Sequence, residues 1–203
     1  MAKPSVLFWD VGGVLLSNAW DHAIRRRAVE HFQLDPDQFE MRHERADAAL
    51  EKGQLTLDEY LNRTVFHQPR LFTMAAFRDW MFAQSTANPE TLALAGAFAR
   101  SKRYLMATLN NESRELNEYR IGKFGLRDYF AVFFSSCYLG VRKPEDPIYR
   151  LALQLTQRAP EECVFIDDRP PNVEAARRCG MQAIQFESAE TLKGSLGVMG
   201  LEI

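Results

Sequence analysis

The chain of 203 residues has little of what marks a secreted, membrane-bound or nucleic-acid-binding protein. Its three cysteines, Cys137, Cys163 and Cys179, are odd in number and far apart, with no Cys-x-x-Cys and no histidine pair beside them. That spacing offers neither a disulfide framework nor a zinc site, and it predicts reduced, buried packing residues. An excess of one charge is missing too. With 25 Lys and Arg against 27 Asp and Glu, the formal net charge of -2 supplies no basic field for nucleic acid or an anionic membrane. No apolar run approaches the roughly 18 residues of a spanning helix. The opening MAKPSVLFWD carries no apolar signal core before its first strand, so a cytoplasmic location is expected. Internal repeats and low-complexity linkers are absent. What is left, 46% hydrophobic and 26% charged, is globular composition, long enough to bury a sizeable core in one domain or in a domain with an insertion.

The stretch that organises this chain is Ser5 to Leu16, SVLFWDVGGVLL. Its short run of Val, Leu, Phe and Trp predicts a buried strand that stops at Asp10, ahead of Gly12 and Gly13. Ligands of open α/β sheets sit beyond the carboxyl ends of the strands, so Asp10 stands either where chemistry occurs or as a plain turn cap. Helical spacing follows, with Trp20, Ile24, Ala28 and Phe32 on one stripe. Arg25, Arg26 and Arg27 lie on that helix pointing in different directions, which predicts a solvated face and no shared phosphate clamp. Further helices are expected from Asp35–Pro36 to Gly53, from the capping box of Thr56 and Glu59 through Phe66, and from Thr73 across Phe77, Trp80 and Met81.

At Asn88–Pro89–Glu90 the pattern changes, and a helix to about Arg100 opens an alternation. Strands are expected at Tyr104–Leu109, Ala131–Ser135, Cys163–Ile166 and Gln182–Phe186. Helices are expected at Ser113–Phe124, Pro147–Gln157 and Val173–Cys179, with a weak last one after Ser188. The glycine-rich stretch Gly194 to Gly200 reads as a frayed end. This order predicts an α/β fold, a three-layer Rossmann-like parallel sheet. Residues 1–16 and 88–203 would form that core, and 17–87 an inserted helical domain.

Polar residues recur at three further strand ends. Asn110, Asn111, Glu112 and Ser113 offer donors at a helix start, suited either to an anion or to a helix cap. Lys143 stands in a loop before Pro144. Asp167 and Asp168 repel each other unless a cation is near. Asp10, Asn110–Asn111, Lys143 and Asp167–Asp168, in that order, resemble the four motifs of the haloacid dehalogenase superfamily, carried here by FWDVGGVLL, TLNNES, VRKPEDPIY and FIDDRPPNVEAARRCGMQAI. The likeness covers the whole chain, and its helical insert is similar to that family's small α-helical cap. The motifs are most similar to the branch of glucose-1-phosphate phosphatases and the N-terminal phosphatase domains of epoxide hydrolases.

This resemblance implies a Mg²⁺-dependent phosphatase of a small phosphorylated metabolite, such as a sugar phosphate, working as a monomer or homodimer. Asp10 would be the nucleophile that forms an aspartyl-phosphate. Asp10, the carbonyl of Gly12 and Asp168 would hold Mg²⁺, and Asp167 and Asn172 would support them from behind. Lys143 would neutralise charge on the reacting groups, and Asn110 and Asn111 would bind substrate beside it. The chain departs from the family at two positions. Gly12 stands where most of its phosphatases carry an acid worth roughly 10²–10⁴-fold in rate, which leaves either a substrate whose leaving group departs easily, such as an anomeric phosphate, or an acid from the cap, Asp21 or His22, to compensate. Asn110 replaces the usual Ser or Thr. Two other readings stay open: a metal-free dehalogenase, against which the Asp167–Asp168 pair argues, and a binding or regulatory protein on the same scaffold.

Overall fold

The computed structural model describes residues 3–203. Strand β1 (Val6–Trp9) is followed by four helices, α1 (His22–His31), α2 (Pro36–Glu51), α3 (Leu57–Thr64) and α4 (Met74–Ala83). The alternating part then runs α5 (Pro89–Ser101), β2 (Leu105–Asn110), α6 (Arg114–Lys123), β3 (Val132–Ser135), α7 (Ser136–Leu139), α8 (Asp146–Thr156), β4 (Cys163–Asp167), α9 (Pro170–Arg178), β5 (Gln182–Gln185) and α10 (Ala189–Val198). The sheet has the order β3-β2-β1-β4-β5, and every pairing is parallel.

All four residues of the central β1 are buried, and their two-residue period divides them between the sheet's faces. Leu7 and Trp9 join Met106, Val164 and Ile166 on one side, against Phe98 of α5 and Leu196 of α10. Val6 and Phe8 join Leu109 and Phe165 on the other, against Tyr149 of α8 and Val173 of α9. Helices α1 to α4 close round a third cluster that includes Phe39, Leu57, Tyr60, Phe77 and Met81, reached from α6 by Leu116.

The expected helix starts are present as hydrogen bonds. Asp35, Thr56, Thr73 and Asn88 each accept a backbone N–H from three residues on, which satisfies a donor the helix itself leaves free. Four expectations need correction. Arg25 is not part of a solvated face: it pairs with Glu40 at 2.8 Å and donates to the Trp20 carbonyl at 3.0 Å, while Arg26 and Arg27 are exposed. Gly194 to Val198 is helix and not a frayed end, because Leu192 and Leu196 bury on the sheet and carry their turns with them. Helix α9 starts at Pro170, earlier than Val173, since proline suits the first turn. Cys179 is only half-buried, unlike Cys137 and Cys163, though all three are free thiols. Among the described residues no helix is long and apolar enough to cross a membrane.

Candidate active site

Parallel pairing brings the carboxyl ends of β1, β2 and β4 to one edge of the sheet. Asp10 leaves β1 with its N–H still bonded to the Ile166 carbonyl at 2.8 Å, so its position is fixed by the sheet. Its Oδ1 accepts the Val11 N–H at 2.7 Å. Lys143, from the loop between α7 and α8, sets Nζ 2.8 Å from Asp10 Oδ1 and 2.6 Å from Asp167 Oδ2. Asp167 is fully buried at the end of β4, and it also accepts from the Arg169 N–H at 2.8 Å and from Asn172 Nδ2 at 3.0 Å. Asn172 is held in turn by the Tyr149 hydroxyl, which donates to its carbonyl at 3.0 Å.

The charges do not balance within this group. Oxygens of Asp10, Asp167 and Asp168 all lie within 4.8 Å of one another, and among the described residues the ammonium of Lys143 alone pairs with them. Burial raises the Asp10 carboxyl to about 7, opposed by Lys143 and reinforced by Asp167. Burial and then the Asp167 charge raise Asp168 as well. Burial alone would lower the Lys143 ammonium, yet the charges of Asp10 and Asp167 hold it above the ordinary lysine value. Asp168 Oδ1 is buried with no hydrogen-bond partner among the described residues. A buried carboxylate oxygen without a donor is costly, and a divalent cation supplies the missing partner. Gly13, at φ +80°, makes the close approach possible, since a β-carbon there would run into the Asp168 carboxylate.

Above these groups opens a cavity of about 480 Å³, with Asp10, Asn111 and Lys143 on the sheet side and Trp20, His43 and Glu51 on the helical side. Asn111 meets the Lys143 backbone twice, accepting its N–H and donating to its carbonyl, both at 2.9 Å. That reciprocal pair fixes the lysine loop. Asn110 is not brought to the cavity: it is 2% exposed, its amide donates to Asn117 at 3.1 Å, and Ser135 donates to its oxygen at 3.0 Å. An amide longer than a hydroxyl is taken up by polar neighbours under the sheet edge. Gly12 faces the cavity, and a β-carbon there would meet Asn18 Oδ1 at 2.8 Å and Arg120 at 3.7 Å. Arg120 is itself 3% exposed, pairs with Glu112 at 3.0 Å and donates to the Ser17 carbonyl. Burial raises Glu112 to about 7 despite that guanidinium. Asp21 and His22 line the cavity, with Asp21 capping α1 through the Ile24 N–H.

Several lining residues gave no sequence signal. Arg142, one position before the lysine, reaches Asp47 at 2.8 Å and Glu51 at 2.9 Å on α2. Its place beside Lys143 was the one available clue. Arg120, His43 and Asp47 sit on helices at ordinary amphipathic spacing, and their convergence is tertiary.

A family model described as haloacid dehalogenase-like hydrolase matches residues 4–180. Flavin mononucleotide hydrolase 1 of Arabidopsis thaliana is 37% identical over 81 residues, 40% of this chain and 33% of that protein. The chain spans a third or less of the length of the first curated relatives it matches. A haloacid dehalogenase family enzyme from Bacteroides thetaiotaomicron, solved with magnesium and inorganic phosphate, superposes with a TM-score of 0.74 at 21% identity over 91% of this chain and 95% of its own. An L-2-haloacid dehalogenase superposes with a TM-score of 0.63, also at 21% identity, over 91% of this chain and 85% of its own. Proteins of both descriptions thus share this fold, which by itself does not decide between them.

Proposed function

Because the chain belongs to the haloacid dehalogenase-like hydrolases, we propose that it is a Mg²⁺-dependent phosphatase of a small phosphorylated metabolite, with residues 17–87 acting as the cap over its site. One observation carries the reading: three carboxylates converge where one ammonium pairs with only two of them, and Asp168 keeps a buried oxygen without a donor among the described residues. A dehalogenase working without metal has no use for that second acid, whereas a phosphatase needs a cation against its dianionic substrate. Asp10, Asp168 and the Gly12 carbonyl would hold Mg²⁺, which when bound supplies positive charge beside the transferring phosphoryl oxygens.

The chain's own groups account for the remaining chemistry. Asp10 Oδ1 is held by Val11 and Lys143, leaving Oδ2 with no hydrogen bond among the described residues and available to attack phosphorus. As that bond forms, the ester P–O bond breaks and the leaving oxygen takes a proton. Water then hydrolyses the aspartyl-phosphate and regenerates the carboxylate. Lys143 offsets charge on the nucleophile and on the incoming oxygens, and Asn111 keeps its loop in place. The FMN-hydrolysing relative and the phosphate-bound neighbour both support a phosphate ester as substrate.

The test is hydrolysis of 4-nitrophenyl phosphate by the purified protein with and without Mg²⁺, beside Asp10→Asn. Turnover that needs the metal and disappears in the variant is expected. Halide release from 2-chloropropionate without metal would replace this reading with the dehalogenase. Failure to turn over any phosphate ester, together with tight retention of a metabolite, would replace it with a binding protein.

A further inference from the structure

The helical wall of the cavity holds an imidazole whose proton position follows from its neighbours. Trp20 Nε1–H, which can only donate, gives its hydrogen bond to the Tyr60 hydroxyl at 2.9 Å. Tyr60 therefore has its own proton to give, and the partner 2.8 Å away is His43 Nδ1. Tyr60 is fully buried, and burial pushes its phenol far above the ordinary range, so the hydroxyl keeps that proton. Nδ1 accepts, and the ring's hydrogen must sit on Nε2. Phe39 lies parallel to the ring at 6.4 Å and fixes its plane. Burial, followed by the charge of Arg25, keeps the imidazole neutral by lowering its pKa.

Among the described residues His43 Nε2 has no hydrogen-bond partner, and it stands 3.7 Å from Asp47 Oδ1, with both residues lining the cavity. That gap is too wide for a direct hydrogen bond, yet an oxygen at ordinary distance from each atom can sit between them. Asp47 is held by its other oxygen, which accepts from Arg142 at 2.8 Å. Nε2–H is thus a fixed donor and Oδ1 a fixed acceptor, a combination that an alcohol hydroxyl satisfies at once and an ether, a methyl or an unprotonated phosphate oxygen does not. Arg142 is the neighbour of Lys143 in sequence, so one loop braces Asp47 and supplies the ammonium beside Asp10.

We propose that His43 and Asp47 form a hydroxyl-reading subsite that selects phosphate esters whose leaving group carries a further hydroxyl. The proposal rests on the phosphatase reading for the identity of the bound molecule, while the tautomer and the pair's geometry do not depend on it. The site's selectivity then comes from the unpaired donor and acceptor, since an analogue lacking the hydroxyl leaves both unsatisfied.

Two measurements test it. In the intact protein, ¹⁵N NMR of the His43 ring is expected to show a neutral Nε2–H tautomer at neutral pH that randomises in Tyr60→Phe. Its Nε2 resonance is expected to shift on titration with glucose 6-phosphate but not with inorganic phosphate. An Nδ1–H tautomer, an imidazolium, or equal response to both probes overturns the proposal whether or not the protein turns over phosphate esters. In kinetics, the ratio of kcat/KM for glucose 6-phosphate, or for whichever hexose phosphate is the better substrate, to that for 4-nitrophenyl phosphate is expected to fall about tenfold in His43→Phe, the loss of one buried hydrogen bond. Partial recovery in His43→Gln, which restores an N–H, is expected as well. An unchanged ratio in the folded variants refutes the subsite. Absence of turnover in the parent protein, with the NMR shift intact, refutes the phosphatase reading alone.

Discussion

Replacing Lys143 by Met keeps the length of the side chain and removes the one positive charge between Asp10 and Asp167. The ammonium lies 2.8 Å from one carboxylate and 2.6 Å from the other, with its side chain 2% exposed, so water cannot replace it. Breaking a buried pair by removing one member costs about 3–5 kcal/mol. For a chain of this length each kcal/mol moves Tm by roughly 2–4 °C, which gives a loss of about 6–20 °C. The pH dependence fixes the cause. Asp10 already sits at about 7, raised from an unfolded value of 3.8, and loss of the lysine raises it further. A carboxyl raised in the folded state binds its proton more tightly there than in the unfolded chain. Its favourable contribution is complete only below the unfolded pKa, and it is lost as pH climbs through the folded one. Lys143→Met should therefore lose more stability at about pH 8 than at about pH 5. Thermal denaturation of both proteins in a chelator at the two pH values measures this. A loss below about 3 °C at both, or a larger loss in acid, would refute the claim that this ammonium balances the cluster.

Mg²⁺ at about 100 times its Kd should stabilise the protein by about 2.7 kcal/mol, raising Tm by roughly 5–10 °C. Asp168→Ala should abolish that shift, and a parent protein whose melting ignores Mg²⁺ has no such site. Gly13→Ala forces a side chain into φ +80° and against the Asp168 carboxylate, and the backbone term alone is about 1–2 kcal/mol; calorimetry should show weakened Mg²⁺ binding, and an unchanged affinity would mean the aspartate does not need this approach. His43, faced by Arg25, Glu40, Glu44, Asp47 and Tyr60, has a folded pKa lowered below 6.5. Protonation favours the unfolded chain, so the stability His43 contributes is complete above 6.5 and falls with acid by at most about 1.4 kcal/mol per pH unit. Urea midpoints of the parent and His43→Gln at about pH 7 and pH 5.5 should converge in acid, and parallel curves would contradict a buried neutral ring.

Much of the fold was legible because its signals are local. Strand β1 announces itself as four apolar residues stopped by Asp10, and Asn88–Pro89 or Thr56 with Glu59 fix helix starts through bonds three residues long. The order of Asp10, Lys143 and Asp167 along the chain was also readable, since Asp10 and Asp167 stand at strand ends that the alternating pattern locates and Lys143 lies between β3 and α8. Asn110 was misplaced for a different reason. Its position at the end of β2 is as expected, but its amide direction depends on Asn117 and Ser135, seven and 25 residues away. Arg25 looked solvated, and Arg142 gave no signal, because no sequence rule pairs a helix arginine with Glu40, or a loop arginine with Asp47 and Glu51. The short α7 was missed outright, four residues being too few for a periodic pattern.

The absence of an acid at position 12 has a structural counterpart. The volume beside Gly12 is occupied by Asn18 and by the Arg120 guanidinium, and Arg120 is tied to Glu112 and to the Ser17 carbonyl on the chain leading into α1. A carboxylate in that volume would meet a guanidinium, lose its tendency to hold a proton and serve poorly as an acid. Under the proposed chemistry, the leaving oxygen's proton must come from elsewhere in the cavity or from water. Glu112, though raised to about 7 by burial, is tied to that same guanidinium, so an alcohol that leaves readily without prior protonation is the substrate this site suits.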